Sequence, residues 1–148
     1  MSYDLMVFNP KTAPRTASDF MQWYKQQTAW EEDHSYTDPK VTSEDLNGWF
    51  LDMITDFPAL NGPYAPADDD DKMDNDEITD YSIGKEIIYA GFRWSVAEKA
   101  YPKMLTLAEK HKVGFYDPSG DGSILFPNNH GRLEAINIKS KPWWKFWS

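Results

Sequence analysis

Cysteine is absent from the 148-residue sequence. That absence excludes a disulfide framework, a thiol nucleophile and a thiolate-ligated metal. No apolar run approaches the ~18 residues that a membrane-spanning helix requires. The N-terminal Met1-Ser2-Tyr3-Asp4-Leu5 lacks the basic start and apolar core of a signal peptide, so a cytoplasmic location is expected. Histidine is scarce. His34, His111 and His130 are scattered, with no pair four residues apart on a helix, so they do not form a metal-ligand motif. There is no glycine-rich phosphate loop and no nucleophile elbow. No serine or threonine sits in an activating motif. The sequence is read as a non-enzyme without a cofactor or metal.

Basic residues are also in deficit. Lys and Arg total 15 against 24 Asp and Glu, for a net charge of −9. Phosphate binding needs clustered Lys and Arg, so this balance argues against direct nucleic-acid binding and fits a basic partner. The acids are not evenly spread. Residues 68–80 hold eight acids and one lysine, and residues 31–45 hold six acids and one lysine. Residues 132–145 reverse the sign, with four cations and one acid. Two acidic segments and a basic tail therefore account for most of the charge pattern.

What is present supports a packed core. Hydrophobic residues make up 41% of the chain and aromatics 16%, more than a disordered chain carries. Domains of ~100–150 residues are the commonest size, so residues 1–148 are read as one domain. Tyr3 to Phe8 is apolar on both faces and predicts a central strand. Thr16 and Asp19 have capping spacing ahead of a helix carrying Phe20, Trp23, Tyr24, Gln27 and Trp30. That helix is expected to fade in Glu31-Glu32-Asp33; acids oppose the dipole at a helix C-terminus, so these three have another role there or lie beyond its end. Thr42 and Asp45 cap a second helix whose Leu46, Trp49, Phe50, Met53, Ile54 and Phe57 form one apolar stripe. Pro58 ends it.

Residues 61–77 are rich in turn formers and then in aspartate, and predict a solvated, flexible acidic loop. Strands are expected over 78–83 and 86–94. The Gly91 inside the second suggests a bulge or a close approach. Ser95 and Glu98 form a capping box for a helix to Lys112, which Pro102 is expected to kink or split. Strands at 113–116 and 123–126 flank Asp117–Gly122, and 133–138 reads as an extra strand. Interspersed strands and helices with hairpins predict an α+β single-domain sandwich. A mostly antiparallel sheet with helices on one face follows, in a ferredoxin-like split β-α-β order.

Three segments carry specific chemistry. Asp117-Pro118-Ser119-Gly120-Asp121-Gly122 has oxygen side chains at positions 1, 3 and 5 and glycine at 6, like the start of a calcium loop. The bidentate glutamate expected at position 12 is Asn128, and a simple turn satisfying its own backbone explains the same residues. The acidic run at 68–77 is either a solvated face or a contact for a basic protein. The C-terminal segment 139–148 alternates lysines with aromatics. It fits a membrane-surface anchor, a nucleic-acid contact, a segment docked on its own core or an oligomer contact.

Tyr3-Asp4-Leu5-Met6-Val7-Phe8, the central Ile83-Gly84 and Ile88-Tyr89-Ala90-Gly91-Phe92, and Val113-Gly114-Phe115-Tyr116-Asp117-Pro118 form a pattern over residues 3–127. The pattern resembles small acidic bacterial proteins with an N-terminal Tyr-Asp-Leu strand, some of them similar to immunity proteins of contact-dependent or type VI polymorphic toxin systems. The resemblance implies a protein that binds and neutralises a cognate secreted toxin, some of which are basic nucleases, by covering its active or substrate-binding surface. It carries no catalytic residues. From charge placement, Glu31, Glu32 and Asp33 together with Asp69, Asp70 and Asp71 are the expected partner contacts. The alternative is a small enzyme or ligand-binding domain with a pocket on the sheet face.

Overall fold

The computed structural model describes residues 2–66 and 76–136. Residues 67–75, with Asp69, Asp70 and Asp71, and residues 137–148, with the basic aromatic segment, lie outside the described residues. The strands are β1 (Tyr3–Phe8), β2 (Asp80–Ile83), β3 (Ile87–Phe92), β4 (Gly114–Tyr116), β5 (Ile124–Pro127) and β6 (Leu133–Ala135). The helices are α1 (Ala17–Gln27), α2 (Glu44–Met53) and α3 (Ala97–His111). The strands form one sheet in the order β2-β3-β1-β4-β5-β6, with every pairing antiparallel. This is the expected α+β class. Its first four strands stand in the split β-α-β order, with β1 central as its doubly apolar sequence requires.

Alternation along β1 sorts the core into two layers. Leu5 and Val7 join Ile88, Ala90, Phe92 and Phe115 on one face, beneath Leu46, Trp49, Phe50 and Met53 of α2 and Ala100, Met104 and Leu107 of α3. Met6 and Phe8 join Ile87, Tyr116, Ile124 and Phe126 on the other face, beneath Phe20 of α1. The expectation of helices on one face therefore holds for α2 and α3, and α1 corrects it. The cause is in the strands. A sheet apolar on both sides leaves a second face whose burial stabilises the fold by roughly 25 cal/mol per Å², and α1 covers it. Phe20 meets Phe8 with ring centroids 4.9 Å apart and Tyr116 at 5.4 Å.

Several boundaries shift for local reasons. Ser43, not Thr42, caps α2: its Oγ accepts from Leu46 N–H at 3.3 Å. The Thr42 hydroxyl donates instead to the Pro39 carbonyl at 2.7 Å. The α-helical part of α2 stops at Met53, and Asp56 and Phe57 N–H both donate to the Met53 carbonyl, which keeps Phe57 buried past the helix end. A 3₁₀ turn at Trp94–Val96 runs into α3, so Val96 and not Ser95 holds the cap position. Pro102 lies inside α3 without splitting it. One absent amide bond is offset by Ala100, Met104 and Ala108 seated in the core. No bulge occurs at Gly91, since its register with β1 and β2 is unbroken. Among the described residues no helix is long and apolar enough to cross a membrane.

Two contacts at the end of α3 have measurable consequences. Lys112 closes the helix with φ 58°, and Val113 N–H donates to the Ala108 carbonyl. A side chain in that left-handed conformation costs about 1–2 kcal/mol, which glycine avoids. Lys112→Gly is expected to raise stability by about 0.5–1 kcal/mol in urea unfolding, after the larger chain entropy of glycine is subtracted. His111, read as a cation at the helix C-terminus, reaches across to α2. Its Nε2 lies 2.7 Å from Asp52 Oδ2, and Lys110 Nζ lies 2.8 Å from the same oxygen. Lys110, then His111, hold the Asp52 carboxyl below its ordinary value. A lowered carboxyl stabilises the fold above its unfolded value and stops doing so as pH falls through the folded one. The urea midpoint should therefore drop on acidification below about pH 4, and drop less in Asp52→Asn.

Candidate functional site

Across β1, β3 and β2 the residues Asp4, Gly91 and Asp80 lie in one row, on the face that α1 covers. In the next row on the same face stand Met6, Tyr89 and Ser82. Gly91 carries no side chain, so the sheet is open between the two carboxylates. A Cβ there would sit 3.4 Å from Asp4 Oδ1 and 3.6 Å from Ser2 Oγ. Tyr24 and Thr28, at the C-terminal end of α1, and Trp30, in the loop beyond, stand around this gap. The result is a recess of about 300 Å³ lined by Ser2, Asp4, Tyr24, Thr28, Trp30, Asp80, Ser82, Tyr89 and Gly91.

Its polar groups are held in place. The Tyr89 hydroxyl donates to Asp4 Oδ2 at 2.9 Å and the Ser2 hydroxyl to Asp4 Oδ1 at 2.5 Å. Asp4 N–H donates to Ser119 Oγ at 2.8 Å, which ties the start of β1 to the Asp117 loop. Asp80 is exposed, and its carboxylate forms no hydrogen bond or ion pair among the described residues. Burial pushes the Tyr89 phenol up, and the bond to Asp4 pushes it further. Burial also raises Tyr24, with the neighbouring Tyr89 hydroxyl acting against it and Asp4 adding to it. Both tyrosines therefore stay protonated through the physiological range. Their hydroxyls line the recess as hydrogen-bonding groups.

The loop that supplies Trp30 is itself constrained. Trp30 and Tyr36 both have left-handed backbones, φ 55° and 62°. Aromatic residues in that region cost about 1–3 kcal/mol each and need support from their surroundings. Glu32 provides it. Its Oε1 accepts from Lys85 N–H at 3.0 Å and lies 2.5 Å from His34 Nε2. Tyr36 N–H donates to His34 Nδ1 at 3.1 Å, so the ring proton sits on Nε2 and points at Glu32. Tyr36 packs edge-on to Trp30 at 5.2 Å, and Trp30 in turn to Tyr89 at 6.3 Å. The Tyr36 carbonyl accepts from Ile83 N–H at 2.8 Å, which fastens the loop to the edge of β2.

The expected contact residues fall as follows. α1 ends at Gln27, so Glu31, Glu32 and Asp33 lie in the loop beyond the helix, one of the two placements expected for them. Glu31 and Asp33 are exposed, while Glu32 is partly buried and clamps the loop. The recess brings Asp4 and Asp80 together, which sequence reading did not single out. Gly91 was the available signal: a glycine inside a strand marks an open place in a sheet as well as a bulge.

In the Asp117–Gly122 segment the carboxylates turn to their own backbone. Asp117 Oδ1 accepts from Gly120 N–H at 2.8 Å, and Asp121 Oδ1 accepts from Ser123 N–H at 2.9 Å and from the Ser123 hydroxyl. Burial raises the Asp117 carboxyl. Among the described residues no three His, Asp or Glu side chains converge to hold a metal ion. Compared with protein-family models, curated proteins and solved structures, the chain matches none.

Proposed function

We propose that this chain is a non-catalytic cytoplasmic protein that binds and neutralises a basic partner, in the role of an immunity protein against a secreted bacterial toxin. The observation that carries the reading is the recess: two carboxylates on either side of a glycine gap, walled by aromatic side chains, in a chain of net charge −9. It has the chemistry of a cation acceptor. Tyrosines held protonated fit a binding surface better than a proton-transfer site. Exposed Glu31 and Asp33 extend the acidic surface along the loop that bears Trp30. Charge complementarity of this kind raises association rates to ~10⁸–10⁹ M⁻¹s⁻¹ at low salt, and a toxin must be met before it acts. A nuclease, which holds phosphates with Lys and Arg, is a partner of suitable charge.

The test is co-expression with the product of the adjacent gene. Cells should survive a toxin that otherwise arrests them, and the two chains should co-purify with an affinity that falls as salt rises. A toxin that remains fully active under co-expression overturns the reading. The recess also favours a second reading, a domain that binds a small cationic ligand on its sheet face. Survival without such a ligand separates the two.

A further inference from the structure

We propose that the recess is the socket for the guanidinium of an arginine side chain presented by the partner. This rests on the binding reading above and names the group that the site takes. Four features converge on it. Asp4 and Asp80 face each other across Gly91, so a cation lying on the glycine meets a carboxylate on either side. Asp4 is oriented by the Tyr89 and Ser2 hydroxyls, while the Asp80 carboxylate has no partner among the described residues. Tyr24, Trp30 and Tyr89 line the recess, and aromatic rings attract a flat, weakly hydrated cation. Tyr24 and Thr28 bring the C-terminal end of α1 to the recess, the negative end of that helix's dipole.

Arginine fits this arrangement better than lysine. Its five N–H groups lie in one plane and can reach two separated carboxylates and the Ser82 and Thr28 hydroxyls together. An ammonium is a point charge that pairs well with only one of them. A metal ion is a poorer match, because only two carboxylates line the recess and Asp4 already accepts two hydroxyl protons.

The test titrates the chain with N-acetyl-arginine methylamide, its citrulline analogue and its lysine analogue, followed by amide NMR shifts and Trp fluorescence. The arginine compound should bind in the millimolar range with shifts at Gly91, Ser82 and Trp30. The lysine compound should bind several-fold more weakly, and the citrulline compound should not bind. Gly91→Val places a Cβ in van der Waals contact with Asp4 and Ser2 and fills the gap between the carboxylates with its methyl groups. It should abolish binding while unfolding at the same urea concentration or higher. Asp80→Asn should weaken binding without affecting the fold. Equal binding of arginine and citrulline, or unchanged binding in folded Gly91→Val, overturns the proposal. A partner that binds Gly91→Val as tightly as the parent chain overturns the socket and leaves the neutralising role standing. Arginine binding without toxin protection overturns that role and leaves the socket standing.

Discussion

Gly114→Ala is expected to lower the unfolding free energy by about 3 kcal/mol, the upper end of the usual cost of overpacking. Gly114 on β4 pairs with Phe8 on β1, and the ring of Phe8 lies directly over it. A Cβ at position 114 would fall well under 3.0 Å from three carbons of that ring. The ring has nowhere to go, being fully buried and held edge-on between Phe20 at 4.9 Å and Phe126 at 5.1 Å. Either the ring leaves its rotamer or β4 moves off β1, and each disrupts the layer beneath α1. A double-mutant cycle with Phe8→Ala isolates this contact. The two changes together should cost less than the sum of the single costs by about 1 kcal/mol or more, because removing the ring also removes the collision. Denaturant titrations of the four proteins measure it. A Gly114→Ala variant within about 0.5 kcal/mol of the parent would show that β4 relaxes freely.

Trp49→Ala should cost about 3–5 kcal/mol, the range for emptying a large core site. Trp49 is among the largest fully buried side chains, and its indole N–H points to the Met104 carbonyl of α3 at 3.4 Å. It thus joins α2 to α3 and both to Tyr81 on the sheet. Trp49→Phe retains most of the apolar volume and loses the indole N–H, so about 1–2 kcal/mol is expected. Thermal unfolding of both variants orders them. An alanine variant as stable as the phenylalanine one would mean that α2 collapses into the gap.

The elements were legible because their patterns are local. Apolar runs of β formers mark β1 and β3, and the stripe of Leu46, Trp49, Phe50 and Met53 marks α2. The face chosen by α1 was not legible. An apolar stripe on a helix records that one side is buried, not which side of a doubly apolar sheet receives it. Caps shifted where two hydroxyl residues stand side by side, since Thr42 and Ser43 compete for one position and the Thr42 hydroxyl is engaged by the Pro39 carbonyl. Acidic charge pointed to Glu31, Glu32 and Asp33, but charge does not record direction, and Glu32 turns inward to Lys85 and His34. The recess is a property of three strands in register. Asp4 and Asp80 lie 76 positions apart in sequence and meet only through Gly91 between them.

The central place of β1 bears on the kinetics of folding. Its two neighbours are residues 87–92 and 114–116, so its first ladder waits for residues 87–92 and its second for residues 114–116. The hairpins β2–β3 and β4–β5 close over short spans and can assemble first. The strand between them must then be inserted from far along the chain, and such distant pairing slows folding relative to a helical protein of equal size. During synthesis Leu5-Met6-Val7-Phe8 therefore waits without a sheet to join, an apolar β-rich segment exposed to chaperones and to other nascent chains.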